Sequence, residues 1–150
     1  MGMSCSSVAP GIDAWAEAAV QDVPRIFRIT LHVRDIDKAA IFYSGLLGIE
    51  GRPIRGGRCY FDCGSVILAL LDTGSDAGPA PGDLYFSVTD LEAIHARARK
   101  LGCLSSELVH DEPGGEIVVR PWGERSFYVL DPYGNELCFV DAGTLFTGLR

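Results

Sequence analysis

A chain that carries the same strand–aspartate–helix unit twice has few folds open to it. The unit first reads Ile29-Thr30-Leu31-His32-Val33-Arg34-Asp35-Ile36 and recurs as Leu84-Tyr85-Phe86-Ser87-Val88-Thr89-Asp90-Leu91. Val33 and Val88, Asp35 and Asp90, and Ile36 and Leu91 are each 55 residues apart. Within 150 residues, that spacing implies two copies of one supersecondary module.

Each copy continues in the same order. Residues 26–33 alternate as a strand, Asp35 is placed to cap a helix, and Ala39, Ala40, Tyr43, Leu46 and Leu47 recur at helical spacing up to Gly48. Three short strands are expected at 49–54, 58–62 and 65–71, and Gly/Pro-rich residues 72–82 form a linker. The second copy has a strand at 83–88 and an Asp90-capped helix with Leu91, Ile94, Ala98 and Leu101 as its apolar stripe, closing at Gly102. Strands near 105–110, 116–120, 125–130 and 136–140 follow. Each half therefore reads β-α-β-β-β. The domain expectation is an N-terminal appendage at 1–24, partly disordered, with Trp15 in a short helical stretch. A single domain follows at 25–150, with modules at about 26–72 and 83–141.

Composition excludes several roles. A net charge of −7 speaks against nucleic acid as a partner, because phosphate binding needs a basic face. There is no run of about 18 apolar residues to span a membrane, and residues 1–24 lack the pattern of a secretory signal. Five cysteines, an odd number with no CxxC pair, fit reduced thiols in the cytoplasm better than disulfides or structural zinc. Cys59 and Cys63 read as small buried residues, and His95 and His110 as incidental surface groups.

The helix stripes decide which way the strands face. Ile29, Leu31, Val33 and Leu84, Phe86, Val88 must cover the helices. Arg28, Thr30, His32 and Asp83, Tyr85, Ser87 then point to the opposite side, a surface suited to a ligand.

These features resemble the vicinal oxygen chelate superfamily, which includes glyoxalase I, fosfomycin-resistance proteins, extradiol dioxygenases and bleomycin-resistance proteins. The resemblance rests on the two strand–Asp–helix openings, on Phe42-Tyr43 and Leu47-Gly48, and on the string from Pro121-Trp122-Gly123-Glu124-Arg125 to Asp131-Pro132-Tyr133-Gly134-Asn135-Glu136. It covers about residues 26–141 and implies an α+β fold, two β-α-β-β-β modules forming a curved mixed sheet around a ligand cavity. It also implies a homodimer.

The resemblance places metal ligands of some members at Arg28, Leu68, Asp83 and Cys138. Arg28 has no lone pair to donate and Leu68 cannot coordinate, so no metal and no cofactor is expected. Arg28 and Asp83 are expected to form an ion pair in the metal's place. Thr30 and Tyr128 match positions that contact the antibiotic in fosfomycin-resistance proteins, and the Trp122 string is similar to bleomycin-resistance proteins.

Several residues keep two readings. His32 is a general base or a hydrogen-bonded lining residue; Trp122 is a stacking contact or a loop anchor. Cys138 is a buried thiol, or a reactive one if Arg28 lowers its pKa. The ligand-binding set is thus Arg28, Thr30, His32, Asp83, Tyr85, Ser87, Trp122, Tyr128 and Cys138. The expected function is metal-independent binding of a small molecule, cationic or aromatic, with sequestration of an antibiotic as the leading case. A lyase, isomerase or transferase with an atypical metal site is the alternative.

Overall fold

The computed structural model describes residues 25–74 and 84–148. Trp15 and the helical turns around it, Asp83 and most of the expected linker lie outside the described residues.

The first module runs β1 (Arg28–Val33), α1 (Ile36–Leu47), β2 (Arg52–Ile54), β3 (Arg58–Cys63) and β4 (Val66–Asp72). The second runs β5 (Leu84–Val88), α2 (Leu91–Leu101), β6 (Leu108–Val109), β7 (Glu112–Pro113), β8 (Val118–Val119), β9 (Arg125–Leu130) and β10 (Glu136–Asp141). The main sheets are ordered β1-β4-β3-β2 and β5-β10-β9-β8, while β6 and β7 form a separate hairpin. In both sheets the first strand lies parallel to the last, and the remaining pairs are antiparallel. The fold is α+β, with two helices and two curved, mixed four-stranded sheets.

Local chemistry sets the helix ends. The Asp35 carboxylate accepts from Lys38 N, and that of Asp90 from Ala93 N, each at 3.1 Å. Such a cap is worth about 1 kcal/mol. Gly48 ends α1 at φ 73° and Gly102 ends α2 at φ 71°, a conformation that side chains with a Cβ rarely adopt.

One apolar core is shared by both modules. Leu31, Val33 and Phe61 meet Tyr43 and Leu46 of α1, and Phe127 and Phe139 meet Leu91 and Ile94 of α2. The helices pack on each other, and Arg97 Nε of α2 donates to Leu46 O of α1 at 3.1 Å. Each sheet therefore gives one face to the common core and turns the other outward. No helix among the described residues is long and apolar enough to cross a membrane.

The region between α2 and β9 departs from expectation. The strand expected at 105–110 is reduced to β6 and a single bridge from Leu104 to Val129. Irregular backbone takes its place beside β9: Tyr128 N donates to Gly114 O at 2.8 Å, and Ser105 N to Tyr128 O at 3.0 Å. Two glycines permit this approach, since a Cβ at Gly114 would lie 2.7 Å from Glu107 O, and one at Gly115 would lie 2.5 Å from Ser105 O. This loop also buries His95, contrary to the expectation of a surface residue. Its Nε2 donates to Gly115 O at 2.8 Å, and its ring stands edge-on to Phe127. Leu101, expected in the α2 stripe, is exposed instead. The strand expected at 49–54 is confined to Arg52–Ile54.

Candidate ligand surface on the second module

Register fixes which side chains share the outward faces. In the first module, Arg28 pairs with Ile67, Thr30 with Ala69 and His32 with Leu71, so these six share the face away from the helices. Arg28 is exposed and its guanidinium lies near the Phe27 and Tyr60 rings, 5.1 and 5.7 Å from their centroids. Thr30 and His32 are half-buried, and His32 O accepts from Asn135 Nδ2 at 3.1 Å. Leu68 belongs to the other face. It is buried in the shared core and borders a cavity at its edge; its β1 partner is Ile29, so it does not share a face with Arg28, another position that the resemblance gives to a metal ligand.

In the second module Tyr85 pairs with Cys138 and Ser87 with Val140; Cys138 pairs with Tyr128 and Val140 with Ser126. All six share the outward face. Tyr85 is 55% exposed and stands edge-on to buried Tyr128, with ring centroids 6.5 Å apart. Burial raises the Tyr128 phenol well above its ordinary range, and its hydrogen bond with Tyr85 adds to the shift. Tyr128, Cys138 and Val140 form a small cluster separate from the main core, with Val109 packed on it. The structure thus unites Tyr85, Ser87, Tyr128 and Cys138. It does not bring them together with Arg28, Thr30 and His32, which lie on the outward face of the other sheet.

Two charged residues complete this surface, and the sequence reading left both out. Val118 pairs with Ser126, and Arg120 N donates to Glu124 O at 2.7 Å, so Arg120 and Glu124 share the parity of Ser126 and Tyr128. Both are at least nine-tenths buried. Glu124 Oε1 accepts from Trp122 Nε1 at 2.7 Å, and its Oε2 accepts from Phe146 N at 2.8 Å. The sequence signal for both is their parity across the Pro121-Trp122-Gly123 turn of the hairpin.

Trp122 is held within its loop: besides its bond to Glu124, its ring meets His110 edge-on at 4.9 Å. Cys138 is not poised by Arg28. Burial pushes its thiol up to about 11, hydrogen bonds with Tyr128 and Ser126 pull it down only in part, and the nearby cation is Arg120. Cys59, Cys63, Cys103 and Cys138 are free thiols.

A cavity of about 430 Å³ opens beside these groups, lined by Tyr85, Ser87, Glu124, Val140, Leu145 and Phe146 among others. A second, of about 470 Å³, lies at the seam between the modules, where Ile29 and Leu68 face Leu84 and Phe86. Of the four positions that the resemblance gives to metal ligands, Asp83 lies outside the described residues, and the other three supply no ready donor. Arg28 offers no lone pair, Leu68 is apolar and faces the core, and the Cys138 thiol is held protonated. Among the described residues no group of three or more His, Cys, Asp or Glu side chains converges.

Comparison with known proteins matches residues 25–139 to the model of the Glyoxalase/Bleomycin resistance protein/Dioxygenase superfamily. Among solved structures, "Oxidase ChaP-H1" is 25% identical with a TM-score of 0.66, over 84% of this chain and 99% of its own. "Oxidase ChaP-H2" is 26% identical with a TM-score of 0.64, over 78% and 92%. A lactoylglutathione lyase from Agrobacterium tumefaciens is 27% identical with a TM-score of 0.56, over 77% and 92%. A search of curated proteins finds no match.

Proposed function

Because the chain belongs to the Glyoxalase/Bleomycin resistance protein/Dioxygenase superfamily, we propose that it is a metal-independent small-molecule binding protein. Its ligand, cationic or aromatic, lies against the outward face of the second module, and sequestration of an antibiotic is the leading case. The observation that carries this reading is the pairing of exposed Tyr85 with buried Tyr128 beside a cavity of about 430 Å³. Exposed aromatic surface of this kind offers a face to a flat ligand. Buried Glu124 lines the same cavity, its carboxylate oxygens held by Trp122 Nε1 and Phe146 N. The chain's net charge of −7 favours a cationic ligand at longer range.

The proposal includes a homodimer working in the cytoplasm. Among the described residues β1 and β5 each have a sheet neighbour on one side only, and Ile26, Phe27 and Tyr85 expose large apolar side chains at or beside these strands. A second copy that covers these edges also brings an outward face of each kind toward one ligand.

Titration of the full chain with bleomycin, a cationic glycopeptide, tests the reading, with sedimentation velocity run in parallel. Saturable binding by a dimer, weakened at least tenfold by Tyr85→Ala, is expected. Activity that a chelator removes and a divalent metal restores would overturn metal independence. That outcome would favour the alternative, an enzyme of the lyase, isomerase or transferase kind with an atypical metal site. Structural likeness at 25–27% identity to proteins named as oxidases and as a lactoylglutathione lyase motivates that second reading.

A further inference from the structure

Arg120 is the side chain that the fold explains least. It is 2% exposed, and its guanidinium carbon sits 5.3 Å from the centroid of the Tyr128 ring. One edge of the guanidinium is fully engaged. Nε donates to Ser126 Oγ at 3.0 Å; Nη2 lies 3.1 Å from Ser126 O, 3.4 Å from Glu116 O and 3.5 Å from Gly114 O. Nη1 is buried and has no hydrogen-bond partner.

Among the described residues its guanidinium also makes no direct ion pair. Glu124, its neighbour across the hairpin, has committed one oxygen to Trp122 and the other to Phe146. The ion pairs of Arg52 with Asp62, and of Arg125 with Glu92 and Asp141, do not involve Arg120. A guanidinium enclosed with free N–H groups and no counter-ion is an unfavourable state, relieved when an anion reaches it. The carbonyls that hold Nη2, and the serine that holds Nε, fix the plane of the group. Nη1 is then left as an oriented, enclosed double donor on the side of the sheet that carries Ser126 and Tyr128.

We propose that Arg120 Nη1 is the anchor for an oxyanion, supplied by the carboxylate of a small flat ligand whose ring lies along the Tyr85–Tyr128 face. This rests on the reading of that face as a ligand surface. It adds a chemical requirement which that reading lacks, namely an acidic group placed on the side of the ligand nearest Arg120. No proton or electron changes hands: the carboxylate exchanges hydrogen bonds with water for the two N–H groups of Nη1.

The test follows the arginine Nε–H signals of the full chain by proton–nitrogen NMR in chloride-free buffer, with Arg120 assigned by its loss in Arg120→Lys. Benzoate, benzamide and acetate are titrated in turn. Benzoate is expected to move the Arg120 signal saturably, with benzamide at least tenfold weaker and Arg120→Lys weakening benzoate by at least tenfold. Acetate binding as tightly as benzoate would support the anchor but assign it to a free small anion. An Arg120 signal that benzoate and acetate both leave in place, or that benzamide moves equally well, overturns the proposal. If Arg120→Lys does not fold, the signal is assigned by its contacts to Ser126 and Tyr128, and the benzoate–benzamide pair decides on the unaltered chain. Carboxylates that move Arg120 while bleomycin fails to bind would leave the anchor standing and remove only the sequestration reading.

Discussion

Tyr43 on α1 and Asp131 at the turn between β9 and β10 stand 88 residues apart and share a buried hydrogen bond of 2.6 Å. The same carboxylate accepts from Tyr133 N, Asn135 N and Asn135 Nδ2, each at 2.8 Å. Asn135 Nδ2 also reaches His32 O of β1, and the Tyr133 hydroxyl donates to Asp35 O at 3.2 Å. One turn of the second module is thereby tied to the strand, the helix cap and the helix of the first.

Tyr43→Phe removes one donor from this buried carboxylate while preserving the ring. A hydrogen bond to a charged group is worth about 1.5–3 kcal/mol. Urea unfolding should show a loss of that size with an unchanged slope. A loss below about 0.5 kcal/mol would show that the bond does not hold the modules together.

Stability should fall as the solution turns alkaline. Burial pushes the Cys103 and Cys138 thiols up to about 11 from an ordinary 9.0. Between these values the unfolded chain has lost protons that the folded chain retains, so the stability difference shrinks as pH rises. It is fully present below pH 9.0 and lost by about 11. The urea midpoint, measured at intervals from pH 8 to 11, should decline, and Cys103→Ala with Cys138→Ala should flatten the decline. An equally steep decline in that double variant would rule the thiols out.

Gly115→Ala should be costly although alanine adds one carbon. The new Cβ would sit 2.5 Å from Ser105 O, a backbone atom, and 3.0 Å from Leu104 Cβ. Overpacking of this kind typically costs about 1–3 kcal/mol. Thermal unfolding should report it, together with faster amide exchange at Ser105, whose N–H bonds to Tyr128 O. A variant as stable as the parent would mean that the loop moves freely.

Glu124→Ala should release the segment after β10. Glu124 Oε2 holds Phe146 N, and Thr144 Oγ1 accepts from Arg125 N at 3.0 Å. With the first tie gone, exchange of the Phe146 amide should accelerate at least tenfold while Phe139, buried in the core, is little changed. Equal acceleration at both would indicate global destabilisation rather than local release.

Much of the fold could be read because its determinants are local. Asp35, Asp90, Gly48 and Gly102 each act within one helical turn, and alternation along β1 and β5 assigned their faces. The errors arose where distant backbone decides. His95 looks exposed on a helical wheel, and only the loop that Gly114 and Gly115 allow to close over α2 buries it. Motif matching groups Leu68 with Arg28, whereas its register with Ile29 sets the two on opposite faces. Arg120 and Glu124 were hidden by their chemistry, since long charged side chains rarely sit so deep.

Each module joins its first strand to its last, with Arg28 paired to Ile67 and Leu84 to Leu137. A ribosome must therefore deliver most of a module before its sheet can close. The first module closes early, yet it must wait for Asp131 before Tyr43 finds its partner and for α2 before its helix is covered. The growing chain thus passes through a stage in which half of the core is exposed. Aggregation risk is expected to be greatest after the first module has emerged and before α2 and Asp131 have followed it.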